Sequence, residues 1–322
     1  MLRYIIKRVL MMIPVIFGVV TIVFFITAIT PGDPAAQILG PSSTEAQRAE
    51  LREELGLNRP ILVQYGSYLK NLVLKGDLGT SYIRKAPIAK EIAERFPTTF
   101  KLACYSMILA IVIGVPIGIL SALRRYSWID IASMSFSLVG VSIPNFWFAL
   151  LLILVFSVKI GWLPAIGISS PAGWILPVIA TSVASLAQIA RTTRSSVLET
   201  MNMDYIRTAR AKGQKESVVV FKHMLKNAVI PILTVCGLMF GMTLGGQVLI
   251  ESIFAIPGLG KYMVDAIMSN DYPCVQSSVL YLSVVFSVVS LIIDLLYAAV
   301  DPRVRAQFKS GKPKKIKATA KA

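Results

Sequence analysis

Long uninterrupted apolar runs alternate along this chain with shorter polar segments, and several runs are long enough for a helix to cross a bilayer, which takes about 20 residues. Residues 9–29 offer 21 positions without a charge, 102–123 offer 22, 131–158 offer 28 and 228–250 offer 23. Two runs are weaker: 174–190 has 17 residues, and 277–300 reaches 24 only with Asp294 inside it. The pattern predicts an all-α integral membrane protein with about six transmembrane helices. Kinks are expected near Pro116, Pro144, Pro177 and Pro231, because a membrane helix tolerates proline where neighbours or water satisfy the freed carbonyl.

The first run follows Arg3, Lys7 and Arg8, as the apolar stretch of a secretory signal would. It outlasts the ~7 to 15 apolar residues of such a signal and runs into Pro31-Gly32-Asp33-Pro34 in place of a small-residue cleavage site, so it reads as a retained span. Composition supports a membrane chain: 55% of the 322 residues are hydrophobic, 16% are charged and the mean hydropathy is +0.68. Soluble domains carry roughly 25% charged residues.

A net charge of +16 would point to nucleic acid in a soluble protein. Its distribution gives it another meaning here. With six spans and a cytoplasmic N-terminus, the inner segments carry +15 and the outer ones +1, which is the positive-inside bias. Both termini are then cytoplasmic and no nucleic-acid partner is required. Cys104, Cys236 and Cys274 have neither metal-ligand nor C-x-x-C spacing and read as small buried thiols, with no disulfide framework.

Two segments outside the spans have patterns of their own. In 30–101, Ser42-Ser43-Thr44-Glu45 is a capping-box pattern ahead of an amphipathic helix over 46–55, with Gly56 placed as the residue after its end. Helical spacing returns over 63–74. At about 70 residues this external piece is near the lower limit for an independent core, so it should lean on the membrane helices or a partner; a passive lid and a docking surface for a soluble external component are both compatible with it. On the other side, 191–227 contains Asp204, Tyr205, Ile206, Arg207, Thr208, Ala209, Arg210, Ala211, Lys212 and Gly213, then an apolar patch, Val218 to Phe221, and finally His223 and Asn227. Two helical stretches separated at Gly213, which permits a left-handed turn, would project as a short hairpin. A basic loop on anionic lipid is the simpler alternative.

The stretch from Arg207 to Gly213, followed by His223 and Asn227-Ala228, resembles the EAA loop of ABC-importer permeases in the form found in the dipeptide, oligopeptide and nickel importer family. Pro31-Gly32-Asp33-Pro34, the run from Glu251 to Gly260 and Asp301-Pro302-Arg303 agree with it, in order and nearly end to end. Arg207 stands where the general permease pattern has glutamate, a departure that looks like the peptide and nickel subclass. The resemblance implies a type I ABC importer permease fold and a coupling helix at 204–213 that docks in a groove of a separate ATPase. Tyr205, Ile206 and Ala209 would enter the groove, while Arg207, Arg210 and Lys212 meet its acidic rim.

Other features fit that division of labour. No GxxxxGK[ST] occurs, since Gly260-Lys261 is followed by Tyr262 and Gly311-Lys312 by Pro313. The chain is therefore expected to be no enzyme and to hold no cofactor or metal, with ATP and magnesium bound by partner chains; its lone histidine, His223, reads as a helix-end or interface residue. Gly237, Gly241 and Gly245 recur every four residues, a face where helices approach closely, and Gly246 extends it. That face suits packing within the chain as well as contact with a second permease, which the resemblance favours. Asp294, the most embedded acid, needs a partner, water or protonation; a structural pairing near the cytoplasmic end and a gating role are the two options. Gln188, Asn145 and Gln247 are the remaining polar residues able to line a path. Glu251, Pro257, Gly258 and Gly260 belong to a re-entrant or gating loop at the outer mouth.

The expected organisation is a first helix with its short cytoplasmic start (1–29), an extracytoplasmic domain (30–101), a five-helix core (102–308) carrying the coupling loop 191–227, and a flexible basic tail (309–322). The expected function is the permease of a multi-pass importer in a prokaryotic inner membrane. It would pair with a homologous permease, two ABC ATPase subunits and an external solute-binding protein to carry di- or oligopeptides. A nickel or metal-chelate importer is the near alternative. An ion-coupled secondary transporter is the distant one, which should show two corresponding halves and embedded coupling acids.

Overall fold

A computed structural model describes residues 2–300 apart from Gly246. The Asp301-Pro302-Arg303 motif, Gly246 and the basic tail lie outside the described residues. In chain order the helices are α1 Leu2–Ile29, α2 Pro34–Leu39, α3 Glu45–Glu54, α4 Ile61–Lys75, α5 Ile88–Leu123, α6 Trp128–Ser142, α7 Asn145–Leu152, α8 Ile175–Met201, α9 Asp204–Ala211, α10 Glu216–Val218, α11 Leu225–Gly245, α12 Val248–Ile253, α13 Leu259–Met268 and α14 Tyr272–Val300. Two π-helical stretches, Ile153–Lys159 and Val219–Met224, continue α7 and α10, and one 3₁₀ turn, Pro171–Trp174, leads into α8. Among the described residues no strand forms; there is one isolated bridge, Thr80 with Pro87.

Among the described residues, five helices are long and apolar enough to cross a membrane, or six crossings if one bent pair counts as a span. That pair is the difference from the sequence reading. The run 131–158 is not one straight helix: α6 and the α7 stretch meet at 103°. The cause is Pro144, whose ring disfavours helical backbone in the preceding residue; Ile143 is extended, at φ −81 and ψ 126. Pro97, Pro116 and Pro231 lie inside α5 and α11 without ending them, and Pro177 sits in the first turn of α8, where its missing N–H has no helical partner to lose. Two spans are longer than hydropathy alone indicates. α5 starts at Ile88, and α8 runs to Met201, which places Arg191 and Arg194 on a helix and not in a loop.

α5 and α8 form the centre of the bundle. A Cβ on Gly118 would lie 2.5 Å from the carbonyl oxygen of Ala190, and one on Gly114 2.9 Å from that of Leu186. Only glycine lets the two backbones approach so closely, the mechanism of small-residue packing in membranes.

α1 lies against α14 and is fixed at both ends. Arg8 Nη1 is 2.9 Å from Asp294 Oδ2 at one end, and Gln276 donates to Thr27 Oγ1 at 2.6 Å at the other. The two helices are therefore antiparallel, with the start of α1 and the far end of α14 on one side of the bundle. Asp294 is engaged in a helix-to-helix ion pair.

The segment between α1 and α5 does lean on the membrane helices. Thr21 Oγ1 and Tyr65 OH are 2.6 Å apart, and Phe24 stacks on Tyr68 at 5.6 Å. Ser81 donates to Asp271 at 2.5 Å, as does the backbone N–H of Tyr82 at 3.0 Å. α3 has its capping box two residues later than the sequence pattern placed it: Thr44 caps, exchanging bonds with Gln47, because Thr44 is the last extended residue. Gly56 follows α3 at φ +69, and Gly76 caps α4 at φ +62. In the Pro31–Pro34 motif, Asp33 caps α2 through Ala35 N–H and receives both Nε and Nη2 of Arg52. That guanidinium holds the Asp33 carboxyl below the usual carboxylate range.

Candidate functional site

The segment from Asn202 to Met224 is a folded hairpin. Asn202 and Met203 end α8, α9 follows, and Gly213 turns the chain at φ +72. The turn is closed by side chains from both arms: Arg210 binds Glu216 through Nε at 3.1 Å and Nη2 at 2.5 Å, and His223 Nε2 meets Gln214 Oε1 at 2.7 Å. The single histidine thus sits inside the helical stretch that runs from α10 into α11, and its ring reaches back to the turn.

The faces of α9 are distributed differently from the expectation. Ile206 is fully buried and Ala209 nearly so, both in a cluster with Ile119, Ala122, Val197, Val219, Val220 and Met224. They root α9 in its own subunit, since helical spacing puts positions 206 and 209 on one face, and cannot also fill a partner's groove. Arg210 is engaged with Glu216. The outward face carries Met203, Tyr205 and Arg207, with Phe221 exposed nearby.

One buried cluster fastens α5, α6 and α8 to one another below the hairpin, and its members were not picked out by sequence reading. Asp130, 3% exposed, accepts from Ser121 Oγ at 2.5 Å, Arg194 Nε at 2.6 Å, Arg194 Nη2 at 2.7 Å and Tyr126 N–H at 3.0 Å. Two carboxylate oxygens thus take four bonds from α5, α8 and the turn before α6. A bidentate arginine pair of this kind adds geometric specificity as well as energy. The available signal was an acid just after the N-cap Ser127, in the first turn of an apolar helix.

The second site is the fold-back of α12 on α13. Glu251 is fully buried. Its Oε1 accepts from Thr99 Oγ1 on α5 at 2.6 Å, and its Oε2 from the N–H of Lys261 at 2.9 Å; Thr99 Oγ1 in turn accepts from Leu259 N–H at 2.8 Å. The carboxylate therefore caps α13, whose first N–H groups have no helical acceptor. Burial pushes the Glu251 pKa up, while the bonds from Thr99, Lys261 and Gly260 pull it back.

This geometry explains the neighbouring glycines. A Cβ on Gly258 would lie 2.3 Å from the Glu251 carboxylate, and one on Gly260 2.9 Å from Val248 Cα. Pro257 supplies the stiff approach to the turn. The loop expected to gate is, in this conformation, pinned to α5. Thr99 has no sequence signal, being one of two adjacent threonines in a helix.

Gly237 and Gly241 pack against α14. Cβ atoms there would meet Ile293 and Phe286 of α14, each at 2.7 Å, so both glycines allow a close approach of α11 to α14; Gly245 has open space beside it. Gly241→Leu is expected to lower the yield of monodisperse chain in detergent even when it is produced without partners. A variant that behaves normally alone and fails only in pairing would return this face to the subunit interface. Of the other polar residues, Gln188 accepts from Arg191, Asn145 is exposed at the start of α7, and Gln247 is buried. Cys274 is buried, while Cys104 and Cys236 are half-buried free thiols.

The architecture is that of a multi-span helical membrane protein with a rooted hairpin on one connection. The chain belongs to the family of binding-protein-dependent transport system inner membrane components, which it matches over residues 114–306, with that family's N-terminal component over 1–103. It is 44% identical to the dipeptide transport system permease protein DppB of Alkalihalophilus pseudofirmus, over 95% of this chain and 100% of that one. It is 45% identical to the glutathione transport system permease protein GsiC of Escherichia coli O6:H1, over 95% and 99%. In fold it is similar to a chain of the inward-facing MetNI methionine ABC transporter, with a TM-score of 0.56 at 19% identity, covering 65% of this chain and 96% of that one. Roughly a third of this chain thus lies outside that shared fold.

Proposed function

We propose that this permease forms, with a homologous partner, the inner-membrane path for short peptides handed over by an external solute-binding protein, and that two separate ATPase subunits drive it from the α9 side. The observation that carries the substrate is the near full-length similarity to permeases named for dipeptide and for glutathione, both short peptides. The physical support for the drive is the hairpin. Ile206 and Ala209 root α9 in the bundle, leaving Tyr205, Arg207 and Phe221 outward as an aromatic and cationic surface suited to an acidic-rimmed cleft. A push on such an anchored helix moves the connected helices as bodies.

The orientation puts α9 and both termini in the cytoplasm and the segment between α1 and α5 outside, in keeping with the +15 and +1 charge division. Reconstitution with the partner permease, both ATPases and the binding protein should give ATP-dependent uptake of labelled dipeptide; no uptake of any short peptide would overturn the reading. Gly213→Val sharpens the test. A Cβ at Gly213 meets nothing within 4 Å, so the substitution acts only through the left-handed backbone, at about 1–2 kcal/mol. Expected is a chain that inserts and assembles normally in a transporter whose ATPase subunits hydrolyse ATP with little uptake. Unchanged uptake would make the hairpin a mere loop.

A further inference from the structure

Outside the helical core, a cavity of about 640 Å³ opens where the ends of α1 and α14 meet α3, α4 and the turn at 77–82. Its polar lining divides into groups that the fold uses and groups that it does not. Arg52 is taken by Asp33 and Glu45, and the Gln64 amide donates to two backbone carbonyls. By contrast, the Arg59 guanidinium and the Asn58 and Asn71 amides, which line the cavity from solvent-exposed positions, and the half-buried Tyr82 phenol make no hydrogen bond or ion pair within the described residues and are left to water or a ligand. Asp77 gives one carboxylate oxygen to Gly79 N–H and keeps the other. One wall is aromatic, Tyr68 stacked on Phe24.

We infer that this cavity binds a short peptide with free termini, its carboxylate on Arg59, its ammonium on Asp77 and its backbone amides on Asn58 and Asn71. The inference rests on the peptide reading and adds to it a binding site on this chain, apart from the helical path. Charge decides the ligand class. A bare anion would meet Arg59 but be repelled by Asp77, and a metal cation the reverse; a zwitterion satisfies both. An apolar ligand would leave two amides and a phenol desolvated without bonds, which costs more than burial returns. The volume falls in the range of roughly 300–1,000 Å³ common for small-ligand sites.

The test uses the reconstituted full-length transporter without its solute-binding protein, and compares free trialanine with its N-acetylated, C-amidated form by equilibrium dialysis. Saturable binding of the free peptide is expected, weakened roughly tenfold or more by Arg59→Gln, by Asp77→Asn or by blocking the termini, as befits loss of a charge-assisted bond. Asp77→Asn retains the oxygen that holds Gly79, and Arg59 supports nothing else, so both variants should fold. No saturable binding, or indifference to both substitutions, would overturn the site. Equal binding of the blocked peptide would also overturn it, in favour of a cradle for an internal segment of a partner protein. If free peptide fails to bind while the complete transporter still imports it, this site falls and the import function stands.

Discussion

Gly258→Ala is expected to unseat the α12–α13 fold-back and deprive the chain of a stable, transport-competent state. The added methyl would sit 2.3 Å from the Glu251 carboxylate, and the carboxylate cannot withdraw without abandoning Thr99 and Lys261. Overpacking alone costs about 1–3 kcal/mol, and each buried donor left unmet adds about 1–3, which together can exceed half of a typical domain's stability. The measurement is the unfolding temperature and the protease resistance of residues 247–271 in detergent. Glu251→Ala should fall in the same direction, because it removes the cap and leaves Thr99 and the α13 N–H groups without their acceptor. A Gly258→Ala chain as stable and as active as the parent would mean that the fold-back is not held by this carboxylate.

Asp130→Ala should be comparably damaging, through charge and not volume. It strands a largely buried Arg194 together with Ser121 and the N–H of Tyr126. Breaking one side of such a pair costs about 3–5 kcal/mol, whereas replacing both partners by uncharged groups is often far milder. Asp130→Asn combined with Arg194→Gln is therefore expected to regain much of the stability lost by either single substitution. Because α8 leads within three residues from Met201 to α9, the same rivet should matter for coupling. The stable double variant is predicted to hydrolyse ATP while importing less substrate per ATP. Additive losses in the double variant would show that the two side chains act independently.

What the sequence made legible follows period and length. Apolar runs gave the spans, and charge asymmetry gave a sidedness to them. Four separated motifs pointed to the family. What it hid are the contacts that depend on where a distant residue lands. The pattern around Glu251 was visible as a motif, but Thr99, 152 residues away, supplies half of its meaning. The Gly237 and Gly241 face was legible as a close-packing surface, and only the positions of Ile293 and Phe286 reveal what it packs against. The bend at Pro144 was marked by its proline; its size depends on how α6 and α7 settle on α8. Ile206 and Ala209 show the same limit, since an apolar pair on a short amphipathic helix says that something covers it, without saying whether the cover belongs to the same chain.

The two fastenings of α1 also set an order of events during synthesis. Almost 300 residues, about the whole chain, separate Arg8 from Asp294. At roughly 5–20 residues per second, the first helix waits on the order of 15–60 s before its last neighbour leaves the ribosome. Throughout that interval α1 must be retained in the bilayer without α14, so its own charge-free apolar stretch has to hold it there, and the closing of the Arg8–Asp294 pair marks the completion of the bundle.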